Sequence, residues 1–177
     1  MQISKYGITL KSLGPADLEM VRDWRNAEHV RPYMQYQKYI TPQMQQAWFE
    51  RLDPDVNLYF IIQQDEKQVG VVNLKDIDYD LRTAEAGIFI GRQDYLNSML
   101  PVLATISIME FAFDVLELVT LKAKIGQQNN KVILFNESIG YRKNRQQDEG
   151  EFHYYTVNQA DFISATKRLR ETLDKIK

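Results

Sequence analysis

The stretch IFIGRQDYLNSMLPVLATI, residues 88–106, has the pattern of a buried strand that leads through a short loop into a helix. Such a loop suits phosphate binding, because the first amides of a helix lack partners within it and its dipole favours negative charge. Arg92 would add a positive charge. Four amides would begin the helix, those of Asn97, Ser98, Met99 and Leu100. These residues predict an oxyanion site in the loop.

The same loop lacks the residue type that lets a backbone approach phosphate oxygens most closely. No glycine lies between Gly91 and Gly126, although glycine has no side chain to hold a ligand away. Pro101 has no N–H to offer. A second interpretation is therefore that Asn97 or Ser98 caps a buried helix, with Pro101 in its first turn and no ligand.

Length, charge and composition restrict the class of protein. The 177 residues suit one domain spanning 1–177, and a net charge of -2 argues against general binding to nucleic acid or membrane surfaces. The absence of cysteine excludes disulfides and thiolate zinc sites. His29 and His153 are too few and too distant to predict a metal site. Without a signal peptide or an apolar run of membrane-spanning length, we expect a cytoplasmic monomer or homodimer.

The pattern of apolar residues predicts an α+β (mixed α/β) fold with the order β, α, α, β, β, β, α, β, α, β, β, α. Strands are expected at 2–12, 57–64, 68–80, 83–91, 118–125, 140–146 and 151–157. Helices are expected from Gly14-Pro15, from Thr41-Pro42, and over 99–116, 130–138 and 159–175, the last with Ile176 ending its apolar stripe. The central sheet would be mostly antiparallel, with one parallel βαβ crossover and helices on both faces. Such a crossover leaves a ligand cleft at the strand ends.

This order, with the segments AEAGIFIG, EFAFDVLEL and NNKVILFNESIGY, resembles the GNAT superfamily of acyl-CoA-dependent N-acetyltransferases over nearly the whole chain. VRDWRNAEHVRPYM and ITPQMQQAWFERL are similar to the branch that acetylates amino groups of nucleotide-linked sugars. Polyamine and ribosomal-protein N-terminal acetyltransferases are near relatives of that branch. The resemblance implies direct transfer of acetyl from acetyl-CoA to a primary amine, without a metal. The acceptor would be an amino sugar, a small amine or a protein N-terminus.

The glycine-free loop departs from the pattern that the family uses for the pyrophosphate of CoA. An alternative therefore stays open, a GNAT-fold binding or structural protein that has lost catalysis and normal CoA binding. In the family, the pantetheine arm pairs with the strand before the loop, and one strand amide polarises the thioester carbonyl. The implied cofactor-binding residues are Phe89, Ile90, Gly91, Arg92, Asn97, Ser98, Met99 and Asn129. Asn129 would equally suit the cap of a helix.

Amine acetylation needs a base that accepts a proton and an acid that protonates the leaving thiolate. Glu85 is the predicted base, since it is an acid within an otherwise apolar strand. It is otherwise a solvated strand residue or a partner of Arg82 or Arg25. The tyrosine that often serves the family as an acid falls at Asn136, which cannot donate a labile proton. The thiolate would then take its proton from water or another group.

The resemblance also implies a wall of the acceptor cleft formed by Trp24, Arg25 and Asn26, with Trp48 as an aromatic of the following helix. Otherwise Trp24 is a core residue and Arg25 belongs to a surface ion pair. The sugar-acetylating branch often has a histidine three residues before this tryptophan, where this chain has Gln45. Gln45 cannot act as a base, which weakens the assignment to sugars. The predicted partner is a small-molecule or peptide amine, with no nucleic acid and no membrane.

Overall fold

The computed structural model describes the backbone of residues 1–175 and the side chains of residues 1–144 and 150–175. Eight strands form one sheet in the order β1-β2-β3-β4-β5-β6-β8-β7, mostly antiparallel with β5 and β6 parallel. They are β1 (Gln2–Lys5), β2 (Ile8–Ser12), β3 (Leu58–Gln64), β4 (Lys67–Asp78), β5 (Thr83–Ile90), β6 (Thr120–Gly126), β7 (Arg142–Glu149) and β8 (Phe152–Asn158). The helices are α1 (Leu18–Asn26), α2 (Pro42–Glu50), α3 (Leu100–Glu110), α4 (Asn130–Ser138) and α5 (Gln159–Leu173). The predicted fold class is confirmed, while Ile176 lies outside the described residues.

The single strand predicted over residues 2–12 is wrong, because this segment folds as a hairpin. Tyr6 and Gly7 both have positive φ, 56° and 74°, and the register pairs Lys5 with Ile8. Two central residues with positive φ make a type I′ turn, whose twist matches that of the flanking strands. Tyrosine is uncommon at this position, and so the sequence carried no turn signal there.

The chain divides into two compact units, residues 1–75 with 87–108, and residues 76–86 with those from 109 onward. The first unit is built on α1, which places Val21 against Ile61 and Val71 of the sheet, all three buried. Burial of such side chains contributes roughly 1.5–3 kcal/mol each. Five half-buried side chains pack around this cluster, those of Leu13, Met20, Trp24, Tyr59 and Phe89. The first unit thereby fixes α1 against the strands.

The second unit is organised around the pairing of β6, β8 and β7. Phe113 and Phe162 pack with ring centroids 5.5 Å apart. Gly140 has φ +103°, and a Cβ there would lie 2.9 Å from the carbonyl oxygen of Asp161, so only glycine fits without strain. The helix predicted over 99–116 consists of α3 followed by a π-helical turn, Phe111–Val115. No helix in the described part of the chain has both the length and the apolar character needed to cross a bilayer.

Candidate active site

The end of β5 is held in the first unit by contacts that converge on Gly91. Its N–H and that of Arg92 both donate to the Val69 carbonyl, at 2.9 and 3.0 Å. His29 Nε2 lies 3.0 Å from the Gly91 carbonyl and donates to it. The Trp24 indole covers the Cα, since a Cβ on Gly91 would lie 2.0 Å from its Cδ2 atom. The glycine is therefore required by the packing of Trp24, and its own polar groups are already bonded.

Of the three backbone positions predicted to contact pantetheine, Ile90 is the one directed away from β4. A Cβ on Gly70 of β4 would lie 2.4 Å from the Phe89 carbonyl oxygen, so this oxygen faces β4. Alternate residues of an antiparallel strand direct their N–H and C=O to opposite edges. The ladder with β6 on the other edge consists of the pairs Thr83–Thr120, Ala84–Leu121 and Glu85–Lys122. Along β5, Ile90 comes after the last of these pairs.

The loop that follows offers two unbonded amides out of the four predicted. The Ser98 N–H donates to the Tyr95 carbonyl at 3.1 Å, and the Leu100 N–H donates to Ser98 Oγ at 3.2 Å. Ser98 is thus a capping residue at the start of α3, in agreement with the second interpretation of the sequence. The N–H groups of Asn97 and Met99 have no hydrogen-bond partner among the described residues. These two remain able to bind an oxyanion.

Arg92 is not an isolated positive charge, because Asp94 pairs with it. The guanidinium Nη2 and Nε lie 3.0 and 3.3 Å from the two carboxylate oxygens of Asp94. This contact raises the pKa of Arg92, and the guanidinium lowers the pKa of Asp94, with a smaller contribution from Lys67. An anion that reaches this loop therefore competes with Asp94 for Arg92.

For the CoA site that the sequence predicts, we expect Asp94→Asn to tighten CoA binding by about 2- to 5-fold, the range of an exposed ion pair. Arg92→Gln should weaken it by a similar factor, and both effects should fade at high salt. Equilibrium titration of CoA at low and high salt measures this. Asp174→Asn, an exposed change of equal charge after α5, is the control and should have no effect. Unchanged CoA affinity in Asp94→Asn would show that the Arg92 charge plays no part.

The first unit also brings together several side chains predicted to bind the acceptor. Trp48 of α2 contacts Tyr59 of β3 edge-on, with ring centroids 5.1 Å apart. The Arg25 guanidinium lies 5.8 Å from the centre of the Phe89 ring and close enough to Tyr59 to interact electrostatically. Tyr59 thereby links Trp48 with Arg25, and Arg25 in turn lies over the Phe89 ring. We call these four side chains the aromatic–arginine group.

Two of the predicted acceptor residues also make structural contacts within the first unit. The side-chain amide of Asn26 makes two hydrogen bonds of 2.8 Å with the backbone of Ile40, one donated and one accepted. These bonds clamp the segment after α1, and the acceptor-binding role of Asn26 stays a prediction. Trp24 packs on Gly91 and on the core cluster, as the alternative reading of the sequence expected.

A cavity of about 320 Å³ lies beside Tyr59 in the first unit. Its wall includes apolar side chains of Phe49, Leu52 and Leu58, with Asn57 among the polar residues. Binding pockets for small ligands start at about this volume. The cavity is therefore large enough for a small acceptor, and Tyr59 is the member of the aromatic–arginine group that lines it.

In the second unit, Glu85 is half-buried on β5, with Lys122 as its register partner on β6. Burial raises the pKa of Tyr141, and the negative charge of Glu85 raises it further, so the hydroxyl stays protonated. Arg82, one proposed partner of Glu85, donates from Nε to the Glu117 carbonyl at 2.6 Å. Glu85 is thus a partly buried carboxylate whose charge raises the pKa of the buried Tyr141 hydroxyl.

Helix α4 carries the other predicted residues of the second unit. Asn129 caps the helix, since its side chain accepts from the Val132 N–H at 3.4 Å. Asn136 donates from Nδ2 to the Val132 carbonyl at 2.8 Å. The side chain that the resemblance aligns with the family's tyrosine acid is therefore an amide bonded to its own helix.

Sequence reasoning did not identify His29, Tyr59, Val69 or Asp94 as parts of this region. His29 is 62 residues from Gly91, and no local pattern predicts a contact over that distance. Asp94 is different, because its spacing of two from Arg92 is visible in the sequence. That spacing could have indicated the ion pair.

The chain is similar to known proteins and structures over most of its length. The model of the acetyltransferase (GNAT) domain matches residues 8–142. Acetyltransferase PseH of Campylobacter jejuni is 25% identical over 153 residues, which cover 84% of this chain and 90% of that protein. A domain from Methanocaldococcus jannaschii DSM 2661 has a TM-score of 0.74 at 20% identity, covering 85% of this chain and 97% of that one.

The spermidine N-acetyltransferase of Vibrio cholerae, solved with CoA and spermine, has a TM-score of 0.74 at 16% identity. It is matched over 89% of this chain and 98% of that one. At these identities the solved structures establish the shared fold. Because the domain model covers most of its length, the chain belongs to the GNAT acetyltransferase family.

Proposed function

We propose that the protein transfers an acetyl group from acetyl-CoA to a primary amine by direct attack on the thioester. The amine nitrogen bonds to the carbonyl carbon, the C–S bond breaks, and CoA leaves as a thiolate. The observation that carries this proposal is the end of β5, where Trp24, His29 and Val69 immobilise Gly91 and leave the Ile90 amide on an unpaired edge. A rigid amide of this kind can polarise a carbonyl.

The donor would lie along β5 and the following loop. Pantetheine adds to the strand at Ile90, and the amides of Asn97 and Met99 receive the pyrophosphate. Arg92 contributes once the phosphate displaces Asp94. The similarity to an acetyltransferase solved with CoA supports this donor. The full proposed cofactor group remains Phe89, Ile90, Gly91, Arg92, Asn97, Ser98, Met99 and Asn129.

The acceptor would be an amino sugar, a small amine or a protein N-terminus that meets the aromatic–arginine group. The amine attacks in its neutral form, and Glu85 is the proposed base that accepts the proton which the nitrogen loses as the amide forms. The thiolate takes its proton from water, since Asn136 has none to give. A single domain over 1–177 and a cytoplasmic location complete the proposal.

Titration with acetyl-CoA tests the donor. At 100 times its dissociation constant, a ligand of the native state adds about 2.7 kcal/mol to the free energy of unfolding. We expect this stabilisation, together with acetyl transfer to at least one member of an amine panel. An unchanged melting temperature at millimolar acetyl-CoA would overturn the proposal. Stabilisation without turnover would favour the alternative, a GNAT-fold binding protein without catalysis.

Glu85→Gln is expected to lower kcat by about 100-fold, the lower end of what a positioned base contributes. The stabilisation by acetyl-CoA should be unchanged, because the substitution leaves the Ile90 edge intact. Tyr141→Phe is the matched control, since it removes the hydroxyl on which Glu85 acts and should leave kcat unchanged. If Glu85→Gln lowers the melting temperature but keeps kcat, Glu85 has a structural role only.

A further inference from the structure

Arg25 is a partly buried cation for which the described residues provide no anion. Its Nε is fully buried without a hydrogen-bond acceptor, and no described residue accepts from the rest of the guanidinium. Burial lowers the pKa of Arg25. The acids nearest along α1, Glu19 and Asp23, instead pair with Arg22 at 2.8 and 2.7 Å. The Nε donor is therefore unsatisfied, and no described residue replaces the lost hydration of the other N–H groups.

This arrangement is unfavourable in the free protein. A charged group withdrawn from water loses hydration that only a partner or hydrogen bonds can replace. The Phe89 ring, 5.8 Å away, replaces part of it through a cation–π interaction but accepts none of the N–H groups. A guanidinium offers five N–H donors in a planar fork, which matches the oxygens of a carboxylate or phosphate. The missing partner is therefore best supplied by a bound oxyanion.

The surroundings of Arg25 suit the rest of such a ligand. Tyr59 interacts with the guanidinium and lines the cavity of about 320 Å³. Trp48 stands edge-on to Tyr59. Aromatic faces of this kind cover the apolar side of a small ligand, while the charged group is bound at one end.

We propose that Arg25 binds a carboxylate or phosphate of the acceptor, and that the enzyme thereby selects amines bearing a negative group over polycationic amines. This inference rests on the proposed function. It separates this chain from its structural relative solved with spermine, because a desolvated guanidinium repels a polyamine. It also gives Arg25 a role in specificity that the family resemblance left open.

Pairs of acceptors that differ only in the negative group provide the test. Glucosamine and glucosamine 6-phosphate form the phosphate arm, glycinamide and glycine form the carboxylate arm, and spermidine is the polycation. Binding is measured by calorimetry without acetyl-CoA, and turnover is measured with it. Arg25→Gln removes the charge, Arg25→Lys keeps it without the fork, and Arg22→Gln is the control on the same helix.

We expect the wild type to prefer at least one anionic member over its neutral counterpart, and spermidine to be the poorest acceptor. Arg25→Gln should weaken the binding of the anionic member by about 10- to 100-fold, as the loss of a charged hydrogen bond implies. The affinity for the neutral member should change by less than about 2-fold. Arg25→Lys should bind the anionic member more tightly than Arg25→Gln does, because it keeps the charge. Arg22→Gln should change neither. The arm that responds identifies the anion.

Stability gives an independent readout. Because no ion pair of Arg25 is lost, Arg25→Gln should leave the melting temperature unchanged or raise it, whereas a structural role predicts a decrease. Three results would overturn the inference. They are an equal loss of affinity for both members of a pair in Arg25→Gln, a preference of the wild type for spermidine, and no binding of either anionic probe at millimolar concentration. Arg25-dependent anion binding without any acetyl transfer would instead overturn the proposed function and leave the anion site standing.

Discussion

Gly91→Ala is expected to lower acetyl transfer by at least about 100-fold, the cost of displacing reacting groups by 1 Å. The added Cβ would lie 2.0, 2.2 and 2.6 Å from three atoms of the Trp24 indole, so the ring or the end of β5 must move. The effect is steric, because Gly91 does not have a positive φ. Overpacking of this kind also costs about 1–3 kcal/mol of stability. Turnover and denaturant unfolding measure the two effects.

Gly87→Ala on the same strand is the matched control. Its Cβ would lie 2.8 Å from the Oδ1 atom of the Asn73 side chain, which can rotate away, whereas an indole held in the core cannot. We expect a loss of activity below about 5-fold there. In a Trp24→Ala background, Gly91→Ala should cost little further stability, because the blocking ring is gone. Full activity of Gly91→Ala would show that the end of β5 does not position the donor.

Arg170→Met is expected to destabilise the protein by about 3–5 kcal/mol, since it breaks an ion pair with a buried carboxylate of the second unit. Glu110 is only 4% exposed, and its Oε1 accepts from Arg170 Nε at 2.7 Å. Arg170 also lies over the Phe162 ring, at 5.6 Å. A loss of this size is a large fraction of the 5–15 kcal/mol typical of a domain. Denaturant unfolding at neutral pH measures it.

The double variant Glu110→Leu with Arg170→Met should recover most of that stability, because two apolar side chains need no partners. Glu19→Ala, which removes an exposed partner of Arg22, is the control and should cost less than about 1 kcal/mol. If Arg170→Met costs no more than this control, the Glu110 carboxylate is adequately solvated without the ion pair.

Most secondary structure could be predicted because its signals are local. The hairpin at Asp65 and Glu66 followed from polar residues between two apolar runs, and both residues adopt positive φ as a type I′ turn requires. The Thr41 and Asn129 caps followed from side chains that reach an amide three residues ahead. The hairpin at Tyr6 was missed because its turn lacks the usual residue type.

The roles of the site residues could not be predicted in the same way. Trp24 and Asn26 were named as acceptor residues, but the first covers Gly91 and the second holds Ile40. Arg25 was read as part of a surface pair or of a cleft, and its lack of an anion became visible only when its neighbours were known. Each role depends on residues that are distant in sequence.

By itself, the sequence determined the class of fold, the order of the elements after the first hairpin, the family resemblance and the strand–loop–helix segment in which a donor is expected. Alternation of apolar residues and capping side chains act over a few residues, so a single chain displays them. The tertiary structure alone decided which amides stay unbonded, why Gly91 must be glycine, and which cation lacks a partner. Those properties arise from contacts between separate elements, such as His29 with Gly91, that come together only when the chain folds.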